Sequence, residues 1–291
     1  MARRRVDFTA AGDLKVVALA GGVGGAKLVE GLAYLLPFAQ LRVIVNTGDD
    51  FEHLGLTICP DLDTVMYTLA GINNPKTGWG IEGETFHCLD AIRRLGGDSW
   101  FRLGDRDLAT HLVRTESLRS GDRLTEVTHN IARALGIQHP LLPMADVPFR
   151  TMVVTEAGVL PFQTYFVQKG FHPIVTGFRW TSPPDAATTP EVAAALAWAD
   201  VVVICPSNPF VSIDPILTVP GIREGVASLP VIAVSPIIGG KAVKGPAAKM
   251  FRELEGEHSA KAVAAHYGAL LDGFVIDRVD ANLKDSVVEM G

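Results

Sequence analysis

The stretch that most restricts the fold spans residues 14–46. An apolar run, LKVVALA (Leu14 to Ala20), passes into GGVGGAKL (Gly21 to Leu28), then into AKLVEGLAYLL, whose leucines and valine recur at helical spacing. LRVIVN (Leu41 to Asn46) follows as a second buried strand. Strand, glycine turn, helix and strand on short connections form a crossover unit, and its right-handed form makes the two strands parallel. The pattern returns late in the chain. EVAAALAWAD reads as a helix feeding VVVIC (Val201 to Cys205), and LPVIAVSP (Leu229 to Pro236) repeats the strand-then-loop form. TMVVTEA (Thr151 to Ala157) is a further strand candidate. Wholly apolar strands between helices predict an α/β fold with a sheet covered on both faces.

Between about residues 61 and 148 the texture changes. LDTVMYTLAG, TFHCLDAIRRLGG, DLATHLVRTESLRSG and LTEVTHNIARALG read as successive amphipathic helices, mostly ended by glycine. The expected organisation is a sheet core over 13–60 and 149–291, with a mainly helical insertion over 61–148. With 291 residues, 48% of them hydrophobic, the chain buries a large core. A net charge of -6 gives no bias toward a nucleic acid polymer, although helix termini and a few arginines still allow a local anion pocket. Cys59, Cys88 and Cys205 are far apart with no C-x-x-C pair, which suits a reducing, cytoplasmic setting. No apolar run reaches bilayer-spanning length, and Met1 to Gly12 reads as a frayed leader rather than a signal.

The candidate site residues sit in the loops that follow the strands, where such folds bind ligands. Gly22, Gly24 and Gly25 admit close backbone approach to an anion at a helix N-terminus, with Lys27 within reach of a phosphate. The same string also serves as a tight strand-helix turn. It is not a complete phosphate loop, because no glycine precedes Lys27 and no Ser or Thr follows it, nor G-x-G-x-x-G, because lysine stands at the third-glycine position. NTGDD (Asn46 to Asp50) and CPDLDT (Cys59 to Thr64) supply Asp49, Asp50, Asp61 and Asp63. Four clustered carboxylates need a compensating charge, and Mg²⁺ is the natural one beside phosphates; helix capping is the competing reading for Asp61 and Asp63. In FRLGDRDLATHLVRT (Phe101 to Thr115), Asp107 is an N-cap candidate that would aim Arg106 at the cleft, making Arg106 a catalytic candidate. His111 is a base, a ligand or a structural histidine. Pro206 and Pro209 hold Ser207 and Asn208 above the sheet, for ligand contact or as a rigid turn, and SPIIGGKAVKGPAAK carries Lys241, Lys244 and Lys249. Trp79 is either an aromatic wall or part of the insertion's own core.

GGVGGAKL, NTGDD, ICPDLDTVMYTL, WGIEGETF, LGDRDLATHLVRT, PSNPFVSIDPIL and VSPIIGGKAVKGPAAK together, in this order, resemble the 2-phospho-L-lactate transferase family of coenzyme F420 biosynthesis. The likeness runs from about Lys15 to Asp280. It implies a Rossmann-like α/β domain with a smaller, largely helical domain, usually dimeric. It also implies transfer of a phosphorylated carboxylic acid from a guanosine-diphosphate-linked donor to the ribityl hydroxyl of the deazaflavin Fo, with release of GMP. By the same resemblance, Asp63 and Arg102 contact Fo. Gly22 to Lys27 with Ser207 and Asn208 lie on the nucleotide side, and Asp49, Asp50 and Asp61 form the Mg²⁺ region. Asp63 or Asp50 orients or deprotonates the hydroxyl, so Asp63→Asn is expected to keep the fold and lose transfer. The rival readings are an NAD(P)-dependent oxidoreductase, disfavoured by Lys27 and NTGDD, and a nucleotide-binding regulator without chemistry.

Overall fold

The computed structural model describes residues 13–290; the leader reading for Met1 to Gly12 lies outside the described residues. The chain opens with β1 (Val16–Ala20), α1 (Gly22–Leu35) and β2 (Leu41–Val45), followed by a small hairpin of β3 (Phe51–His53) and β4 (Leu56–Ile58). Four helices come next: α2 (Pro60–Leu69), α3 (His87–Arg94), α4 (Asp105–Arg119) and α5 (Leu124–Ala134). Then β5 (Leu141–Pro143) leads to β6 (Arg150–Thr155), β7 (Gly158–Pro161) and β8 (Val175–Thr181). The last third holds α6 (Pro190–Trp198), β9 (Val201–Ile204), α7 (Asp214–Thr218), α8 (Ile222–Ala227) and β10 (Val231–Val234). A short hairpin of β11 (Ile237–Ile238) and β12 (Lys241–Ala242), α9 (Ala247–Glu255), α10 (Ala260–Tyr267) and β13 (Gly273–Val275) complete the elements used below.

The main sheet is six-stranded and parallel throughout, in the order β13-β10-β9-β1-β2-β5. Its central strand is wholly buried, which explains the unbroken apolar run. Alternate side chains feed two cores. Val17 and Leu19 pack with Ile204, Leu196 and Phe251 on one face, while Val16, Ala18 and Ala20 pack with Val29, Leu62 and Val65 on the other. The α/β expectation is met, and the strand-glycine-helix-strand unit is parallel as expected.

Two features depart from the pattern read along the chain. Residues 141–143, inside the stretch read as helical, form the edge strand of the main sheet. TMVVT joins a separate antiparallel sheet of order β7-β6-β8, and its alternate burial shows why: one face of β6 is covered and the other is not.

Candidate active site

A cavity of about 420 Å³ lies beyond the carboxyl ends of β1, β2, β9 and β10, roofed by α2, α4 and the loop around Trp79. That is a volume ordinary for small-molecule sites, which span roughly 300–1,000 Å³. Among the predicted residues it is lined by Gly22, Gly24, Asp49, Asp61, Asp63, Arg102, Ser207 and Asn208. The distant segments therefore converge. Gly25, Lys27, Asp50 and Arg106 do not line it.

The glycine string is built around its neighbours. Gly21, in extended conformation, donates its N–H to Ser207 Oγ at 3.0 Å. Gly22 takes φ +61, a left-handed value that suits glycine. A Cβ on Gly25 would come within 2.5 Å of Ser207 Oγ, and one on Gly24 would strike the Pro206 carbonyl. These two glycines thus let the first turn of α1 press against the loop after β9. The Gly22 N–H is directed at Asp61, so a carboxylate already occupies the anion-attracting end of α1. Lys27 is exposed on the next turn, close enough to Lys244 at the cavity wall for its charge, after burial, to lower the Lys244 pKa.

Asn46 organises the sheet side. Its Nδ2 lies 2.9 Å from Asp61 Oδ2 and 3.3 Å from Asp49 Oδ1, while its Oδ1 accepts the Gly48 N–H at 2.8 Å. Gln163 Nε2 adds a contact of 3.3 Å to Asp49 Oδ2. Burial, then repulsion from Asp61 and Asp50, holds Asp49 well above the usual carboxylate range. Burial pushes Asp61 up to about 6, against the hydrogen bonds from Asn46 and Gly22. Asp50 turns away from the cavity toward the Cys59 thiol; burial pushes it up to about 7 despite the pull of Arg150, and its Oδ1 has no hydrogen-bond partner among the described residues. The adjacent pair therefore divides: Asp49 faces the ligand space and Asp50 stands behind it.

The helical side is built differently. Arg114, fully buried, grips Asp63 with both terminal nitrogens, Nη1 to Oδ2 at 3.0 Å and Nη2 to Oδ1. Tyr67 donates its hydroxyl to Asp107 Oδ1 at 2.7 Å, and His111 lies between Arg114 and Asp107. Asp63, Asp107 and His111 bring one ligand atom each within 4.8 Å of one another, but the guanidinium on Asp63 already supplies that cluster with a cation.

The segment around Arg106 corrects the expectation drawn from sequence. α4 starts at Asp105, and Asp107 does not cap it. The cap is Glu84, whose carboxylate accepts the N–H groups of Arg106 and Asp107 at 2.8 and 3.0 Å. Asp105 in return accepts the N–H groups of Cys88 and His87 at the start of α3, at 2.9 and 3.0 Å. Relieved of capping, Asp107 turns into the cavity wall, while Arg106 stays exposed and donates to the Glu82 carbonyl at 2.8 Å. Arg102 is the arginine on the cavity, its guanidinium carbon 4.2 Å from the centre of the Phe86 ring.

Aromatic rings wall the remaining space. Phe101 lines it, backed by Phe51 with ring centres 4.8 Å apart, and Phe162 and Phe166 stack at 5.4 Å on another side. Trp79 is on the cavity wall and 42% exposed, rather than in a helical core. Gln163 and the phenylalanines of residues 162–166 carried no motif signal, and Tyr67, although inside ICPDLDTVMYTL, is not singled out by it; their tertiary placement reveals them.

The family model described as 2-phospho-L-lactate transferase CofD matches residues 16–289. A phosphoenolpyruvate transferase of Streptomyces griseus subsp. griseus is 43% identical over 286 residues, covering 96% of this chain and 90% of that protein. A 2-phospho-L-lactate transferase of Methanosarcina acetivorans is 42% identical over 265 residues, covering 91% and 86%. Among solved structures, protein BH3568 from Bacillus halodurans has a TM-score of 0.61 at 17% identity, covering 96% of this chain and 85% of that one, a likeness of fold alone. With a strand-end cavity lined by carboxylates and aromatic rings, and with relatives of this identity along nearly its whole length, the chain belongs to the CofD family of 2-phospho-L-lactate transferases.

Proposed function

We propose that the protein moves a phospholactyl or enolpyruvyl-phosphoryl group from a guanosine-diphosphate-linked donor to the ribityl hydroxyl of Fo, with Mg²⁺ as cofactor and GMP as leaving group. Family membership makes it an enzyme, a transferase of coenzyme F420 biosynthesis, which sets aside the oxidoreductase and the non-catalytic regulator. The observation that carries the finer reading is one cavity lined both by carboxylates without a cationic partner, Asp49 and Asp61, and by aromatic rings, with the arginine-held Asp63 also on its wall.

The acidic half fits a hard divalent cation. Asp49 and Asp61 share one amide, repel each other, and have no cationic side chain in direct contact among the described residues. These two would hold Mg²⁺, with Asp50 behind them. When bound, the ion would neutralise phosphate charge and favour departure of GMP. Lys244 and Lys27 stand on the same side as further positive charge for the diphosphate.

Phe101, Trp79 and the Phe162–Phe166 stack offer flat apolar surfaces to a fused heteroaromatic ring, with Arg102 at the wall. Asp63 would accept a hydrogen bond from the acceptor hydroxyl and orient it toward the phosphorus. A carboxylate is a weak base toward an alkanol, so alignment of the hydroxyl contributes more than complete proton removal before attack. Arg106 has no part in this geometry.

A homodimer in the cytoplasm completes the assignment. The three cysteines are free, and no described helix is long and apolar enough to cross a membrane. The test is incubation of purified protein with Fo, Mg²⁺ and competing phospholactyl and enolpyruvyl-phosphoryl donors, followed by mass spectrometry. A phosphodiester product together with GMP supports the reading. Ligand binding without any product would overturn it.

A further inference from the structure

Two motifs beside the cavity, WGIEGETF and LGDRD, are stitched together at the starts of α3 and α4. Glu84 accepts the N–H groups of Arg106 and Asp107, and Asp105 accepts those of His87 and Cys88. Between these caps, the Asp105 N–H donates to the Thr85 carbonyl at 2.8 Å, and the Thr85 hydroxyl donates to Asp105 Oδ2 at 2.6 Å. Phe86 thus sits between Thr85 on one side and His87 and Cys88 on the other, all three bonded to Asp105. The Phe86 ring in turn carries the Arg102 guanidinium. Gly104 leaves room for this clasp, since a Cβ there would run into the Glu84 side chain.

Arg102 lines the cavity and makes no hydrogen bond or ion pair among the described residues; it rests on the Phe86 ring. A long side chain loses rotamer freedom when it closes on a ligand, and a preformed seat lowers that cost. We propose that Glu84 and Asp105 are positioning residues of the acceptor site: their exchanged caps fix Phe86, and the Phe86 ring holds Arg102 at the cavity wall with its N–H groups unspent. The inference rests on the reading that Arg102 meets Fo. It adds that the two carboxylates act only through that arginine, since Glu84, Phe86 and Asp105 do not themselves line the cavity.

The clasp calls for a carboxylate at each position. Each spreads its two oxygens over two N–H groups in the first turn of a helix, where negative charge is also favoured by the helix dipole. An amide offers a single acceptor oxygen and no charge, so Glu84→Gln keeps part of the cap and Glu84→Ala keeps none. The two caps are interdependent, because Asp105 begins the helix that Glu84 caps and Glu84 shortly precedes the helix that Asp105 caps. Asp49 and Asp61 belong to neither segment, so the donor side stands apart from the clasp.

The test begins with amide hydrogen exchange on the full chain without ligand. Protection at His87, Cys88, Arg106 and Asp107 is expected in the wild-type protein, and Glu84→Ala should lose it in both pairs. Loss confined to Arg106 and Asp107 would overturn the interdependence. Equilibrium dialysis with Fo then tests the route to the ligand. Arg102→Ala and Glu84→Ala are each expected to weaken binding roughly tenfold, Glu84→Gln by less, and the double variant no more than Arg102→Ala alone. Losses that multiply in the double variant would show that Glu84 does not act through Arg102. In turnover, Glu84→Ala should raise KM for Fo and leave KM for the donor unchanged; a fall in kcat alone would mark a merely structural residue. Unchanged Fo binding by Arg102→Ala would instead sink the underlying reading of the acceptor wall, while hydrogen exchange, recorded without ligand, would still report the clasp.

Discussion

The two halves of the cavity handle buried carboxylates in opposite ways. On the helical side, Asp63 has the Arg114 cation and Asp107 accepts the Tyr67 hydroxyl, so both carboxylates are partnered from within the chain. On the sheet side, Asp49 and Asp61 share the Asn46 amide and repel each other, and their protons are held more tightly than usual. Buried charge without a partner is unfavourable, and the cost falls on the folded state until a partner arrives. One half is therefore preorganised, and the other is where the proposed Mg²⁺ would supply the missing cation.

The contrast is most exposed to a pair of substitutions. Arg114→Met leaves Asp63 buried without its cation, and we expect a loss of about 3–5 kcal/mol in urea unfolding. Asp61→Asn relieves repulsion and should cost no more than about 1 kcal/mol. Similar losses in both would erase the distinction between the halves. The fully buried pair also revises the expectation for Asp63→Asn: stripping Arg114 of its counter-charge should lower stability as well as transfer.

Next in size is the effect of pH on the ligand-free protein. Burial raises Asp50 to about 7 and Asp61 to about 6, so the folded form retains protons that the unfolded chain has released. Stability conferred by that protonation is complete below about pH 4 and is lost as pH rises through about 6 to 7, a fall of about 4 kcal/mol from Asp50 and about 3 kcal/mol from Asp61. A thermal midpoint that did not fall across this interval would contradict the assigned environment.

Adding Mg²⁺ should offset that loss. At a concentration one hundred times its Kd it stabilises by about 2.7 kcal/mol. The gain should be larger above pH 7 than below pH 5 and absent in Asp61→Asn, as read by the shift in melting midpoint; an undiminished shift in that variant would move the cation elsewhere. The smallest effect is expected at Trp79, which is partly exposed on the cavity wall. Trp79→Ala should change stability by less than about 0.5 kcal/mol while raising KM for Fo more than it lowers kcat. An unchanged KM would take Trp79 out of the acceptor wall.

Asp61 and Asp63 show where sequence reading stops. Both stand in the first turn of α2, and capping and ligand contact are equally compatible with their motif. Two residues apart on a helix, their side chains diverge by about 200°. One therefore meets Asn46 and the start of α1, and the other meets Arg114 on α4. Arg106 teaches the same lesson in reverse. Its place in LGDRD suggests a cleft arginine, but the reciprocal caps of Glu84 and Asp105 join residues about twenty positions apart, and no local pattern announces them.

The parallel sheet, the glycine turn after its first strand, most of the helical stretch read over 61–148 and the side of the sheet on which ligands collect were legible along the chain. Those follow from periodicity and backbone freedom, which are local properties. Only the tertiary structure decided which carboxylates face the cavity and which possess a cation. Asp63 and Arg114 are 51 residues apart, and a charge environment depends on separations of a few ångströms after folding.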